Sequence, residues 1–141
     1  MARHYTITPG VVYRHTVLEG VEEHDDGEDF AESEKQLIAG ARAVAVQLEG
    51  HDLQDREATL KIRTSLDGGE TWRLHRLLIE TSPTSNGLDY IEEKTLSSSG
   101  RNITYLAPET LGALTHIKAR LEITDTDNPE GYFNIKVTIA Y

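Results

Sequence analysis

The sequence predicts an all-β protein, a single-domain antiparallel β-sandwich of jelly-roll-like type, on three observations. Apolar and polar residues alternate with period two in several short segments, most plainly at 117–123 and 133–141. Clusters of Gly, Pro, Asn, Asp and Ser separate those segments. No stretch carries the i, i+3, i+4 apolar spacing of a long helix. About eight such strands bury their apolar faces by stacking two sheets or closing a barrel. The length of 141 residues suits one domain with a substantial core.

Taken in order, residues 1–36 read as one or two N-terminal strands plus an acidic arm, and 37–141 as the sandwich core. Residues 5–18 are strand-like with a break at Pro9-Gly10. They place Val11, Tyr13, His15 and Val17 on one face and Val12, Arg14, Thr16 and Leu18 on the other. Neither face is cleanly polar, so the strand is expected to be central or pressed against a neighbouring subunit. From Glu19 to Glu34, nine of sixteen residues are Asp or Glu. Such a run repels itself and buries little, so it is expected to be a solvated, mobile arm, with Phe30 as an anchor on another chain. Residues 35–39 suggest a brief strand. Residues 41–50 alternate with Val44, Val46 and Leu48 inward, and 51–57 read as a polar turn. Leu60 and Ile62 continue the inward set, with Lys61 and Arg63 facing water.

Asp67-Gly68-Gly69 supplies hairpin turn chemistry between two strand-like runs. After it, Trp72 is expected to cap the core, Leu74, Leu77 and Ile79 to face in, and Arg73, His75 and Glu80 to face out, with a phase change near Leu77-Leu78. Residues 81–87 form a turn cluster, 89–96 and 103–106 further strands, and 108–112 a place for one turn of helix. Residues 115–124 and 132–141 are the clearest strands. With Asp125 to Gly131 read as a turn, they are expected to form a hairpin.

Composition narrows the function. The chain has no cysteine, which excludes disulfide scaffolds, thiolate zinc sites and cysteine nucleophiles. A net charge of −10 opposes a nucleic-acid groove, so no nucleic-acid partner is expected. The start lacks the apolar core of a signal peptide, and no run approaches the roughly 20 apolar residues of a membrane span. The expectation is a protein made in the cytoplasm with no membrane partner. Six histidines lack ligand spacing. The acidic turns at 24–29 and 125–131 use residues that ordinary Asx-type turns also use, and in the second Pro129 and the missing bidentate acid break the twelve-residue calcium-loop pattern. Ser, His and Asp occur without a nucleophile elbow, and paired catalytic carboxylates cannot be told from surface acids. The chain is therefore read as no enzyme, with no catalytic residue, metal or cofactor.

Residues 65–72, Ser-Leu-Asp-Gly-Gly-Glu-Thr-Trp, match the pattern S-x-D-x-G-x-T-W at Ser65, Asp67, Gly69, Thr71 and Trp72. This segment resembles the Asp-box of sialidases and other β-propellers. There the Asp ties a hairpin turn to backbone donors with an aromatic ring beneath it, a structural and not a catalytic device. A propeller would carry one box per blade, and four or more blades of about 40 residues each exceed this length. The order of pieces also resembles small phage and prophage virion proteins: a Met-Ala-Arg start, residues 37–50, the 60–72 segment, then 117–121 and 133–141. The resemblance implies a capsid decoration or cement protein of the virion, made in the host cytoplasm. Its partners would be the major capsid protein or other virion proteins, and it would be a homo-oligomer, often a trimer. Val11, Tyr13, Val17 and Phe30 would supply apolar interface area. A tail or head-to-tail connector position stays open, as does a carbohydrate-binding module using Trp72 or exposed tyrosines as a stacking platform.

Overall fold

Two long strands organise the molecule. A computed structural model describes residues 10–80 and 88–141; the expectations for residues 1–9 and for the turn cluster at 81–87 lie outside the described residues. In chain order the strands are β1 Val12–Val21, β2 Ala31–Glu32, β3 Gln36–Leu37, β4 Ala43–Ser65, β5 Arg73–His75, β6 Leu77–Glu80, β7 Leu88–Ile91, β8 Lys94–Leu96, β9 Gly100–Leu106 and β10 His116–Ala140. A 3-10 helix at Pro108–Ala113 falls where one turn of helix was expected, and Leu111 within it is buried. The architecture is all-β and antiparallel, as the alternation predicts.

β4 and β10 pair from Ala43↔Ala140 to Ser65↔His116, a ribbon running nearly their whole length. Val44, Val46, Leu48, Ala58, Leu60 and Ile62 are buried on β4, and Ile117, Ala119, Leu121, Phe133, Ile135, Val137 and Ile139 on β10. The parity never changes, so one face of the ribbon is apolar at both ends. Both ends contribute to a single contiguous core, because the ribbon folds over on that face. One half carries β1 beside β10 and β9, β6 and β7 beyond β4. The other carries β2 and β3 beside β10, with β5 and β8 beyond β4. The result is a two-layer sandwich, here called the first and second sheet.

This corrects two sequence expectations. Residues 51–57 and 125–131 are not turns, and 115–124 and 132–141 do not form a hairpin; they are the two halves of β10. The turn-forming residues act instead in the bend of the ribbon. Between Asp125 and Glu130 β10 advances five positions where β4, from Arg56 to Gln54, advances two, a bulge that turns the ribbon. Asp52 and Asp55 take positive φ of 53° and 50°, and Gly131 takes 95°. Arg56 pins the bend. Its Nε and Nη2 donate to the two carboxylate oxygens of Asp125 at 2.9 and 3.1 Å, and Nη1 donates to the Gly131 carbonyl at 2.6 Å.

The acidic segment is docked on its own chain. Ser33 is buried and exchanges backbone and side-chain hydrogen bonds with Ala119, while the amide of Ile123 donates to His24 Nε2 at 2.9 Å. The Arg120 guanidinium lies 3.6 Å from the Phe30 ring centroid, and Arg120 and Lys118 both pair with Glu32. Phe30 thus anchors the arm on β10 of its own chain. Local repulsion is overcome by long-range contacts that composition does not display. β1 is not central either; among the described residues it pairs only with β10, at the border of the first sheet.

Candidate functional site

The turn at 65–72 joins β4 to β5, and its own polar groups saturate it. Asp67 Oδ1 accepts from the Glu70 and Thr71 amides at 3.1 and 2.9 Å and from Ser65 Oγ at 2.7 Å, and Oδ2 accepts from Thr71 Oγ1 at 2.6 Å. Ser65 Oγ in turn accepts from the Asp67 and Gly69 amides. The Thr71 hydroxyl and amide, with Ser65, hold the Asp67 carboxyl well below the usual carboxylate range. An acid so committed to its own loop is unsuited to proton transfer. Thr115 ties the turn down, accepting from the Gly68 amide at 3.0 Å and donating to the Ser65 carbonyl at 3.2 Å.

Trp72 does not cap the core. It is half-buried, outside the core cluster, with Nε1 donating to the Gly69 carbonyl at 2.9 Å and Lys118 Nζ 4.5 Å from a ring centroid. The phase of β5 is also the reverse of the expectation. Leu74 is 46% exposed and His75 only 6%, because Ile62 pairs with His75 and Arg63 with Leu74. The polar ring is tolerated inside because Thr64 Oγ1 and the Ala107 carbonyl each lie 3.3 Å from one of its nitrogens. Leu77 faces in as expected.

A hollow of about 390 Å³ opens between this turn and β5, with Arg73, Leu74, His75 and Arg76 along one wall and Leu66 and Asp67 along the other. Its one carboxylate is the loop-bound Asp67. Among the described residues no three His, Asp or Glu side chains are arranged to hold a metal ion. The described histidines are dispersed: His24 on the arm, His51 stacked on Tyr132 with centroids 5.0 Å apart, His75 in the core, His15 on β1 and His116 at the start of β10. Burial, then the nearby Lys35, pushes His116 below the usual histidine range.

The four residues expected to form an interface are not brought together. Tyr13 is exposed and meets Tyr141 edge-on with centroids 5.8 Å apart; Val11 is half-buried just before β1. Val17 packs against the core, and Phe30 lies over the second sheet under Arg120. A different surface gathers Tyr90, Ile103 and Tyr105. On the outer face of the first sheet one cross-strand row runs Arg14, Thr138, Ala45, Tyr105, Leu78, Tyr90. The next runs Thr16, Lys136, Gln47, Ile103. Tyr90, Ile103 and Tyr105 are each more than 40% exposed, and the Arg76 guanidinium stands 4.9 Å from the Tyr90 centroid. The one signal for this surface in the sequence is that 103–106 is apolar or aromatic on both of its faces.

No family model and no curated protein matches the chain. A solved structure, the SPBc2 prophage-derived protein YomS, superposes with a TM-score of 0.52 at 18% identity, covering 96% of this chain and 98% of that one. At this identity the likeness is one of fold, and it spans nearly the full length of both chains.

Proposed function

We propose that the chain is a non-enzymatic structural protein of a phage particle, and more finely a capsid decoration protein that bridges coat subunits. The observation that carries this reading is the fold shared end to end with a prophage-derived protein. Two features of the molecule support it. The turn at 65–72, the one sequence motif, is closed on its own hydrogen bonds and offers no chemistry. The first sheet, by contrast, presents an open surface of tyrosine, isoleucine and arginine, the composition of contact patches. Many modest contacts repeated over a lattice stabilise a shell without any one of them being tight. Partners in this reading are the major capsid protein or other virion proteins.

The test is add-back. Particles of the encoding phage are stripped of the protein, mixed with purified chain, pelleted and heated. Binding at fixed copy number with a higher disruption temperature is expected. Particles that neither bind the chain nor gain heat resistance would refute decoration, and labelling confined to the tail would move the assignment to a tail or connector component.

A further inference from the structure

We infer that the outer face of the first sheet receives the acidic arm of a second copy of this chain, in a head-to-tail contact. This extends the reading of the chain as a protein that acts through contacts, yet self-association needs no other virion component. Its failure would therefore leave the add-back result standing.

The chain carries −10 overall, but the register rows and ring contacts of the first sheet put Arg14, Arg76, Arg101 and Lys136 on its outer face, with Glu49 among them. Lys136 neutralises the Glu49 carboxylate at 3.1 Å. Arg14, Arg76 and Arg101 make no ion pair among the described residues: Arg76 lies over the exposed Tyr90, Arg101 is two positions along β9 from the exposed Ile103, and Arg14 stands at the β1 end of the row that carries Tyr105 and Tyr90. Planar guanidiniums beside tyrosine rings bind carboxylates while burying apolar area.

The complementary partner lies in the same sequence. Residues 19–34 hold nine acids and no Lys or Arg. Within them Glu23, Asp26, Glu28 and Asp29 are exposed and make no ion pair among the described residues. The arm cannot reach the face of its own molecule. Ala31 and Ser33 are tied to Leu121 and Ala119 on the second sheet, and the Asp25 amide closes the loop on the Phe30 carbonyl at 2.8 Å. Its acids project from one place and the guanidiniums from another, so the contact is heterologous. Such contacts close into rings or run on as filaments.

Sedimentation velocity on the full chain tests this. Association is expected at low salt and should weaken at least tenfold as salt rises from about 0.05 to 0.5 M. Two variants separate the halves of the contact: a face variant, Arg14→Glu with Arg101→Glu, and an arm variant, Glu28→Lys with Asp29→Lys. All four sites are exposed, and unchanged thermal unfolding verifies the fold. Each variant alone should stay monomeric. An equimolar mixture should associate again, because the intact arm of the face variant seats on the intact face of the arm variant and the reversed arm and reversed face also attract each other. A monomeric wild type, an arm variant that still self-associates, or a mixture that stays monomeric would overturn the inference. So would an oligonucleotide captured by the wild type and lost in the face variant, the outcome expected if the arginine–tyrosine face binds nucleic acid instead.

Discussion

Replacing Glu49 by Gln should destabilise the protein near neutral pH and hardly at all in acid. Glu49 points outward from β4, yet its side chain is only 12% exposed. Burial alone pushes its carboxyl up. Four neighbours more than offset that: Lys136 at 3.1 Å, His51 at 3.3 Å, Asn134 at 3.4 Å and Gln47, which together bring it from 4.5 down to about 2. At about 1.4 kcal/mol per pH unit the depression corresponds to about 3 kcal/mol of folding free energy. A depressed carboxylate contributes fully above its unfolded value and loses the contribution as pH falls through the folded one. Wild type should therefore exceed Glu49→Gln by about 2–3 kcal/mol at pH 7, by roughly 1 kcal/mol at pH 3, and by almost nothing at pH 2. Urea titrations of both proteins at pH 7, 5, 4 and 3 measure the difference directly. A gap that stays constant from pH 7 to pH 3 would refute the electrostatic account and assign the loss to packing.

Four substitutions probe the ribbon, its turn and the arm. Phe133→Ala empties the largest fully buried side chain and should cost about 3–5 kcal/mol in chemical denaturation. Gly131→Ala should cost more than the usual ~1 kcal/mol of a glycine substitution, because its φ is +95° and the new Cβ would meet the His51 and Asp52 carbonyl oxygens at 2.5 and 2.7 Å; a melting temperature equal to wild type would contradict the bend as described. Asp67→Ala removes the acceptor of the Glu70 and Thr71 amides. The emission of Trp72, the single tryptophan, should shift to the red as its loop opens, with the far-UV spectrum unchanged. Arg120→Ala should free the arm, read as faster amide exchange at Phe30 and Ala31, while the exchange of Ile135 and Val137 stays slow.

The inward faces of β4 and β10 are legible because their burial follows a period that any half-buried strand must have. Val44 to Leu48, Leu60, Ile62 and 133–139 face the core as the alternation predicts. The continuity of these strands is not legible. Asp52, Asp55, Asn128, Pro129 and Gly131 have the composition of turns, and a bulged bend needs the same positive φ and local hydrogen bonds that a reversal needs. What distinguishes the two is that the segments pair with each other, Arg56 with Asp125, across 69 positions of sequence. His75 and Leu74 exchange places for a similar reason. The stabilising partners, Thr64 and the Ala107 carbonyl, are 11 and 32 positions away, so local polarity points the wrong way. The Asp67 and Ser65 bonds of the 65–72 turn are readable because they span four residues or fewer, whereas its tie to Thr115 and the placing of Arg14, Arg76 and Arg101 on one face come only through register.

Folding one ribbon onto itself leaves two outer faces, and they have been treated differently by the sequence. On the outer face of the second sheet Lys61 pairs with Glu122, Lys118 and Arg120 with Glu32, and the Trp72 and Phe30 rings lie against Lys118 and Arg120. Arg63 donates to the Trp72 carbonyl at 3.4 Å. The arm and the 65–72 turn thus serve as that sheet's cover. The first sheet has no such cover among the described residues, and there Arg14, Arg76 and Arg101 share a face with the exposed Tyr90 and Tyr105, Arg76 standing over the Tyr90 ring. A face whose charges are already matched within the molecule gains little from a partner, since binding would only exchange one set of ion pairs for another. Unmatched guanidiniums over apolar rings gain both charge neutralisation and buried area. The asymmetry therefore favours the first sheet for intermolecular contact and leaves the motif-bearing side to hold the chain together.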